Sequence, residues 1–264
     1  MIHPFWSKIT PNKEAEQAGF RFGEKSAHTS LTIMLSELTD LMNTLPEGAK
    51  REDYTSAIID ENVLGKQTAS TRRAYNQRMG ELYSLDPKLP IFRVLRKLWM
   101  IDDKGRPLLA ILCALARDPL LRATAPNVIS LKIGDELVRN SYLVTIKHSA
   151  GNRLNDKSAD KVARNSASSW TQSGHLNGRV RKVRTLVEPT ACSVAFALWM
   201  GSLFGFSGEE LLTTPWIKLL DSDLEKLIDL TLHAKRLRLL EASIGGGIVE
   251  INPACIDKET EDKH

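Results

Sequence analysis

The chain of 264 residues contains only three cysteines, which lie far apart at Cys113, Cys192 and Cys255. An odd, scattered set predicts neither a disulfide framework nor a CxxC metal site. Such cysteine usage is typical of proteins in a reducing compartment, so we expect a cytoplasmic location. We also expect no signal peptide, because the first twenty residues are polar and charged after Phe5 and Trp6.

Long apolar runs are missing as well. Two runs, 108–116 and 194–206, have nine and thirteen residues, whereas a membrane span needs about twenty. We therefore predict two buried helices here and no membrane partner.

Recognisable catalytic and cofactor motifs are absent from the sequence. The six histidines have no H-x-x-x-H or H-E partner, and neither GxSxG nor GxGxxG occurs. The pair Gly65-Lys66 resembles part of a P-loop, but Asp60 and Gln67 stand where Gly and Ser or Thr are required. We expect no catalytic residue, no metal and no cofactor. An enzyme with a site assembled from distant residues is the least favoured of three hypotheses.

The net charge of +4 is unevenly distributed along the chain. Residues 62–80 carry four Lys or Arg, residues 161–187 carry six, and neither stretch contains Asp or Glu, so the remainder of the chain sums to −6. Two concentrated basic stretches on a mildly acidic body favour a polyanionic partner. We predict that this partner is nucleic acid, with DNA preferred to RNA.

The second basic stretch begins as a helix. Ala163, Ala167 and Trp170 recur at helical spacing and are predicted to face a core. Gly174 suits the residue that follows a helix, and 179–187 alternates like a strand. Helix, glycine turn and basic strand form the outline of half a winged helix, which would place side chains on base edges and phosphates. The alternative is a solvated basic face on an ordinary helix.

The predicted nucleic-acid contacts come from both stretches. In the first, a turn with a Thr or Ser cap opens a helix within an outline that resembles a helix-turn-helix. The candidates there are Lys66, Thr68, Arg72, Arg73 and Arg78. In the second stretch, the candidates for base edges are Arg164, Asn165, Ser168 and Gln172, and those for phosphate are Lys161, His175, Arg179, Arg181, Lys182 and Arg184. His175 could instead cap the helix end. Trp170, Trp199 and Trp216 are predicted to be core residues rather than stacking platforms.

Hydrophobic periodicity predicts a mainly helical chain. A helix is expected to start at Asp118-Pro119, where Asp suits the cap and Pro the first helical position. Another is expected over 222–240, where Ser222 and Glu225 match a capping box. The remaining helices are expected over 26–45, 53–64, 68–83, 91–101, 107–116, 161–173 and 189–204. Residues 137–147 are ambiguous between helix and strand, and Pro126 is expected to start or break a segment. Residues 243–251 are typical of a hairpin with a Gly-rich turn.

These elements predict a helical-bundle N-terminal domain and a C-terminal winged-helix-like α+β domain with short β-hairpins. The expected divisions are a flexible arm (1–19), the helical domain (20–148), a linker (149–157), the winged-helix-like domain (158–256) and a charged tail (257–264).

Residues 20–85 also carry short motifs in series. They are Phe20-Arg21-Phe22-Gly23-Glu24-Lys25-Ser26-Ala27, Glu61-Asn62-Val63-Leu64-Gly65-Lys66-Gln67-Thr68, Ser70-Thr71-Arg72-Arg73 and Met79-Gly80-Glu81-Leu82-Tyr83-Ser84-Leu85. This series resembles the BrxA family, the small helical component of BREX bacteriophage-defence systems. The chain departs from the family in its greater length and in Met79, where an Arg is usual.

The resemblance implies a helical fold that is similar in part to the antitermination factor NusB, and an association with nucleic acid. It also implies a role for Asn62, Lys66, Thr68, Arg72 and Arg73. We therefore expect a non-enzymatic accessory protein of phage defence that binds nucleic acid, with double-stranded DNA favoured. The alternative is a scaffold that binds other subunits of a defence system, and either function is compatible with a homodimer.

Overall fold

Twelve α-helices form within residues 3–246 and 248–257, the part of the chain that this computed structural model describes. They are α1 (Lys13–Ala18), α2 (Leu35–Thr44), α3 (Arg51–Ile59), α4 (Ala69–Tyr83), α5 (Pro90–Ile101), α6 (Arg106–Arg117), α7 (Pro119–Ile129), α8 (Arg139–Ala150), α9 (Asp156–Gln172), α10 (Ala191–Ser202), α11 (Pro215–Lys218) and α12 (Leu224–Arg236). The mainly helical fold class is therefore confirmed.

Two small antiparallel sheets complete the fold. The first pairs β1 (Leu176–Asn177) with β2 (Val183–Arg184), and the second pairs β3 (Glu241–Gly245) with β4 (Ile248–Asn252). The second sheet confirms the hairpin predicted from the Gly-rich turn. The basic strand predicted over 179–187 is much shorter, because regular strand pairing with β1 is confined to β2.

Helix α6 lies at the centre of the molecule. Every residue from Leu108 to Arg117 is buried, as its apolar composition predicted, and α4, α5, α7, α9 and α10 all pack against it. Helix α7 begins as expected, since the Asp118 carboxylate accepts a hydrogen bond from the backbone N–H of Leu121 at 2.9 Å and Pro119 occupies the first helical position. The prediction that Trp170, Trp199 and Trp216 are core residues is confirmed, since these side chains are only 0–4% exposed.

Residues 3–19, the described part of the expected flexible arm, contribute buried side chains to this core. Trp6 is 3% exposed, and its ring centroid lies 4.9 Å from that of Trp216. The Trp6 indole N–H donates to the carbonyl of Arg122 at 3.0 Å. That carbonyl is free because Pro126, four residues later, has no N–H to give it. Pro126 therefore neither starts nor breaks a segment: it lies inside α7, and the indole replaces the missing helical hydrogen bond.

Residues 149–157 do not separate two cores. They form the end of α8, a 3-10 turn (Gly151–Arg153) and the beginning of α9. Helix α9 then packs against α6, α7 and α8, and the Trp170 indole N–H donates to Thr124 Oγ1 at 2.8 Å. The buried apolar side chains from both sides of the expected linker belong to one cluster.

Two predicted helix starts are wrong. The first long helix begins at Leu35 rather than at 26, since Met34 has φ 51° and a 3-10 turn occupies Ala27–Thr29. Helix α12 is capped by Asp223, whose carboxylate accepts from the backbone N–H of Lys226 at 2.8 Å. Ser222 is thus outside the helix and forms no capping box.

A candidate anion-binding cleft

A cleft of about 730 Å³ opens between α9, the beginning of α8 and the loop that joins β1 to β2. Its lining residues are Leu137, Arg139, Tyr142, Ala163, Arg164, Ala167, Ser168, Thr171, Asn177, Gly178, Arg179, Val180 and Lys182. Four of the predicted nucleic-acid contacts therefore meet in one place: Arg164, Ser168, Arg179 and Lys182.

Helical spacing places the α9 residues on this wall. Ala163, Ala167 and Thr171 follow one another at intervals of four, and Arg164 and Ser168 lie one position beside them, so all five share one face. The two alanines, 6% and 7% exposed, leave room at the floor because their side chains end at Cβ.

The opposite wall depends on a tight turn at Gly178. This residue has φ +107°, and a Cβ here would lie 2.0 Å from the carbonyl oxygen of Arg181, so only glycine fits. The returning chain is held by Leu137, whose backbone N–H donates to the carbonyl of Lys182 at 2.8 Å. The turn therefore holds Arg179 and Val180 over the cleft.

Lys182 and Arg179 supply positive charge that no neighbouring acid neutralises. The Lys182 ammonium donates to Thr171 Oγ1 at 2.8 Å and to the carbonyl of Gly178 at 3.2 Å. An ammonium has three donors, so one N–H remains. Burial lowers the pKa of Lys182. Across residues 3–246 and 248–257, neither Lys182 nor Arg179 lies within 4.0 Å of a carboxylate oxygen.

The other two cations share one acid at the mouth of the cleft. Asp160 pairs with Arg164 at 2.5 Å and with Arg139. Both guanidinium side chains are more than 60% exposed, at 63% and 66%. Exposed ion pairs of this kind contribute about 0–1 kcal/mol, so an incoming anion can compete with the carboxylate.

Two predicted base-contacting residues are used inside the fold instead. The Asn165 amide donates to the carbonyl of His28 at 2.9 Å. The Gln172 side chain accepts from the backbone N–H of Leu35 at 3.0 Å and donates to Thr32 Oγ1 at 2.9 Å. This face of α9 binds the chain that leads into α2, so it does not face outward as expected.

His175 and Arg184 are also unavailable to a ligand. His175 is 0% exposed and its Nε2 lies 2.8 Å from the carbonyl oxygen of Leu219, so its ring is enclosed within the fold. Arg184 is 2% exposed and pairs with Asp221. Of the remaining candidates, Arg181 pairs with Glu136 at 2.8 Å on the surface, and Lys161 is exposed on α9.

The first basic stretch contributes no residue to the cleft lining. Lys66 pairs with Glu37 at 2.9 Å, Arg78 pairs with Glu81 at 2.7 Å, and the Arg72 guanidinium donates to the carbonyl of Ile59 at 2.7 Å. The expected Thr or Ser cap of α4 is Thr68, whose hydroxyl accepts from the backbone N–H of Thr71 at 3.1 Å.

Two other residues of that stretch have different surroundings. Arg73 is exposed. Asn62 has φ 55°, and its side-chain oxygen accepts from the backbone N–H of Lys66 at 2.8 Å. Asn62 thus shapes the turn. Apart from Arg73, the charges of this stretch are used largely within the fold.

Sequence reasoning missed two charged residues at the cleft: Arg139, which lines it, and Asp160, which pairs with Arg139 and Arg164. Arg139 lies within the segment 137–147, which was ambiguous between helix and strand. In the structure α8 begins at Arg139, so most of this segment is helical, and Glu136, just before it, bridges to Val183 of β2. No local pattern indicates that this guanidinium meets α9, since only the packing of α8 on α9 brings them together.

A buried network elsewhere has the connectivity of a Ser-His-Asp triad. His28 Nδ1 lies 2.9 Å from Asp118 Oδ2, and His28 Nε2 lies 2.9 Å from Ser169 Oγ. Ser169 Oγ also accepts from the backbone N–H of Ile33 at 3.0 Å. Burial favours a higher pKa for Asp118, but His28 and further hydrogen bonds outweigh it and lower that pKa. All three side chains are at most 1% exposed, so a substrate has no access and the network serves to join three segments.

No protein-family model matches the chain, and a comparison with curated proteins finds no match. Within the described residues, none of the helices has the length and apolar character that crossing a membrane would require.

Proposed function

We propose that the protein is a non-enzymatic nucleic-acid-binding protein and that it binds through the face around the cleft. By its resemblance to the BrxA family, we place it as an accessory component of a bacterial phage-defence system. We also propose that the N-terminal helices are similar in part to NusB and that the C-terminal part, which shares their core, resembles a winged helix.

One observation carries this proposal. Residues 130–187 contain eleven Lys or Arg and four Asp or Glu, a net charge of +7, whereas the whole chain carries +4. These residues pack together, because α8 contacts α9 and β2 bridges to Glu136. A concentrated positive charge on one part of a protein attracts a polyanion over a distance of about a Debye length.

The charges available to phosphates differ from those that the sequence suggested. Arg179, Lys182 and Arg164 line the cleft, and Lys161 lies exposed on the same helix as Arg164. Arg184 is excluded, because its guanidinium already pairs with a buried carboxylate. Double-stranded DNA remains the favoured ligand for this outer surface, since phosphate contacts require no particular base.

The test is the salt dependence of binding to labelled duplex DNA between 50 and 200 mM salt. Replacing Arg164, Arg179 and Lys182 together by Ala should reduce the slope of log K against log[salt] by about 2–3, since each phosphate contact contributes roughly 0.9. The matched control replaces three other exposed cations, Lys13, Lys88 and Lys104. An unchanged slope in the first variant, with its fold intact by circular dichroism, would refute the assignment of this face.

A scaffold function is the second candidate, and exposed apolar side chains favour it. Val138, Val144 and Val180 are 60%, 66% and 91% exposed, although isolated exposed valines are common on monomers. A complex with another subunit of the defence system that survives 500 mM salt, together with no binding to duplex DNA, would favour the scaffold.

A further inference from the structure

We infer that the cleft holds one unpaired nucleotide, with its base over the alanine floor and its phosphate at Arg179 and Lys182. This inference rests on the proposed function and names the ligand class of the same site. The nucleotide could belong to a single strand or be free, because the chemistry that the cleft recognises is the same.

The volume of the cleft suits a ligand of the size of one nucleotide. Its volume of about 730 Å³ lies within the range of about 300–1,000 Å³ that is usual for small-molecule sites. A duplex keeps its bases stacked and offers phosphates and groove edges to a protein. It therefore has no group to insert between α9 and the β1–β2 loop, whereas an unpaired nucleotide has a flat base that can enter.

The walls provide apolar contact for such a base. Ala163 and Ala167, whose side chains end at Cβ, line the floor together with Leu137. Val180 lines the same cleft while 91% exposed, so its apolar surface has almost no protein contact. A base lying on the floor would cover Val180 and remove that surface from water.

The polar groups are arranged for the rest of the nucleotide. Lys182 retains one free N–H beside Thr171, and Arg179 has no carboxylate partner among the described residues. Ser168 is half-buried and lines the cleft. Within the described part of the chain its hydroxyl makes no side-chain hydrogen bond, so it can donate to or accept from a base edge. The cleft thus combines cations that can bind a phosphate with a neutral hydroxyl that can bind a base.

The test compares a labelled single-stranded oligonucleotide with a blunt duplex of equal length at one salt concentration. Ser168→Trp fills the cleft and leaves the charge unchanged. The expected result is a loss of about tenfold in single-strand affinity, because the Trp side chain fills the space that the base would occupy and removes its apolar contact. Duplex affinity should fall by less than about twofold, since Ser168 carries no charge for a phosphate contact. Ser36→Trp is the matched control, because Ser36 is exposed on α2 and lies outside the cleft lining.

A second variant tests the cleft independently, in case Ser168→Trp does not fold. Val180→Ser removes the apolar wall at a highly exposed position and should weaken single-strand binding several-fold. Competition by a nucleoside monophosphate against the single strand would assign the cleft to a free nucleotide as well, and its failure to compete would assign it to a strand. Either result supports the inference if Ser168→Trp weakens single-strand binding.

Two outcomes separate failure of the inference from failure of the proposed function. If single strand and duplex bind with equal affinity and neither cleft variant changes this, the inference is overturned while nucleic-acid binding stands. If neither ligand binds at 50 mM salt, nucleic-acid binding itself is refuted, and the inference with it.

Discussion

The buried imidazole of His175 should make the stability of the protein depend on pH in a defined window. The ring is 0% exposed, Nε2 lies 2.8 Å from the Leu219 carbonyl oxygen, and Nδ1 lies 2.8 Å from Ser173 Oγ. A carbonyl needs a donor, so Nε2 carries the proton of the neutral ring. Burial, opposed in part by the Leu219 carbonyl and Asp221, lowers the pKa of His175 to about 4.

The magnitude follows from the two pKa values. In the unfolded chain His175 binds a proton below about pH 6.5, whereas the folded protein binds it only below about pH 4. Between these values the unfolded state holds more protons, so stability falls as pH falls. The full contribution of His175 is present above about pH 6.5, and about 3 kcal/mol is lost by about pH 4, at roughly 1.4 kcal/mol for each pH unit.

Urea unfolding of the wild type and of His175→Gln at pH 7.5, 6.5, 5.5 and 4.5 would measure this loss. The variant lacks the titrating group, so the difference in unfolding free energy between the two proteins should shrink by about 1–3 kcal/mol from pH 6.5 to 4.5. Other acids and histidines titrate equally in both and cancel. His148→Gln is the control at an exposed position. Parallel pH profiles for the wild type and His175→Gln would refute the reasoning.

Three further predictions concern stability. Asp221→Asn should destabilise the protein by about 3–5 kcal/mol, because Arg184 is left buried without its partner. The double change Arg184→Met with Asp221→Asn should recover part of this stability in chemical unfolding. Equal unfolding free energies for the single and double variants would contradict the buried pair. Gly178→Ala should lower the thermal midpoint by several degrees, because the new Cβ meets a backbone oxygen at 2.0 Å, and an unchanged midpoint would show that the turn relaxes freely. Asp223→Ala should cost about 1 kcal/mol and Ser222→Ala much less, since Asp223 caps α12; the reverse order in urea unfolding would restore the capping box that the sequence suggested.

Several elements could be predicted because their signals are local. Helix α6 is apolar on every side, α7 starts at Asp118-Pro119, and the Gly-rich turn ends one strand and begins another. A cap, a proline or a periodic stripe acts within a few residues, so the sequence contains all of the information. The same holds for Gly174, whose φ of +85° suits the residue after α9.

Charge was less predictable, because a sequence does not show where a side chain finds its partner. Of the six cations in 161–187, Arg184 pairs with Asp221, Arg181 with Glu136 and Arg164 with Asp160. Two of these three acids lie more than twenty residues away in the chain. A run of basic residues therefore indicates how much charge is present but not how much of it remains for a ligand.

Local sequence was thus sufficient for the helical class, most helix starts and the buried tryptophans, because apolar periodicity and capping are set by neighbours along the chain. The cleft depended on tertiary packing. Arg139 reaches Asp160 and Arg164 only because α8 lies against α9, and the β1–β2 turn closes over them only because β2 pairs with residues near Glu136. Contacts between distant segments form where buried surface and backbone hydrogen bonds outweigh the entropy of joining them, and no short motif records that balance.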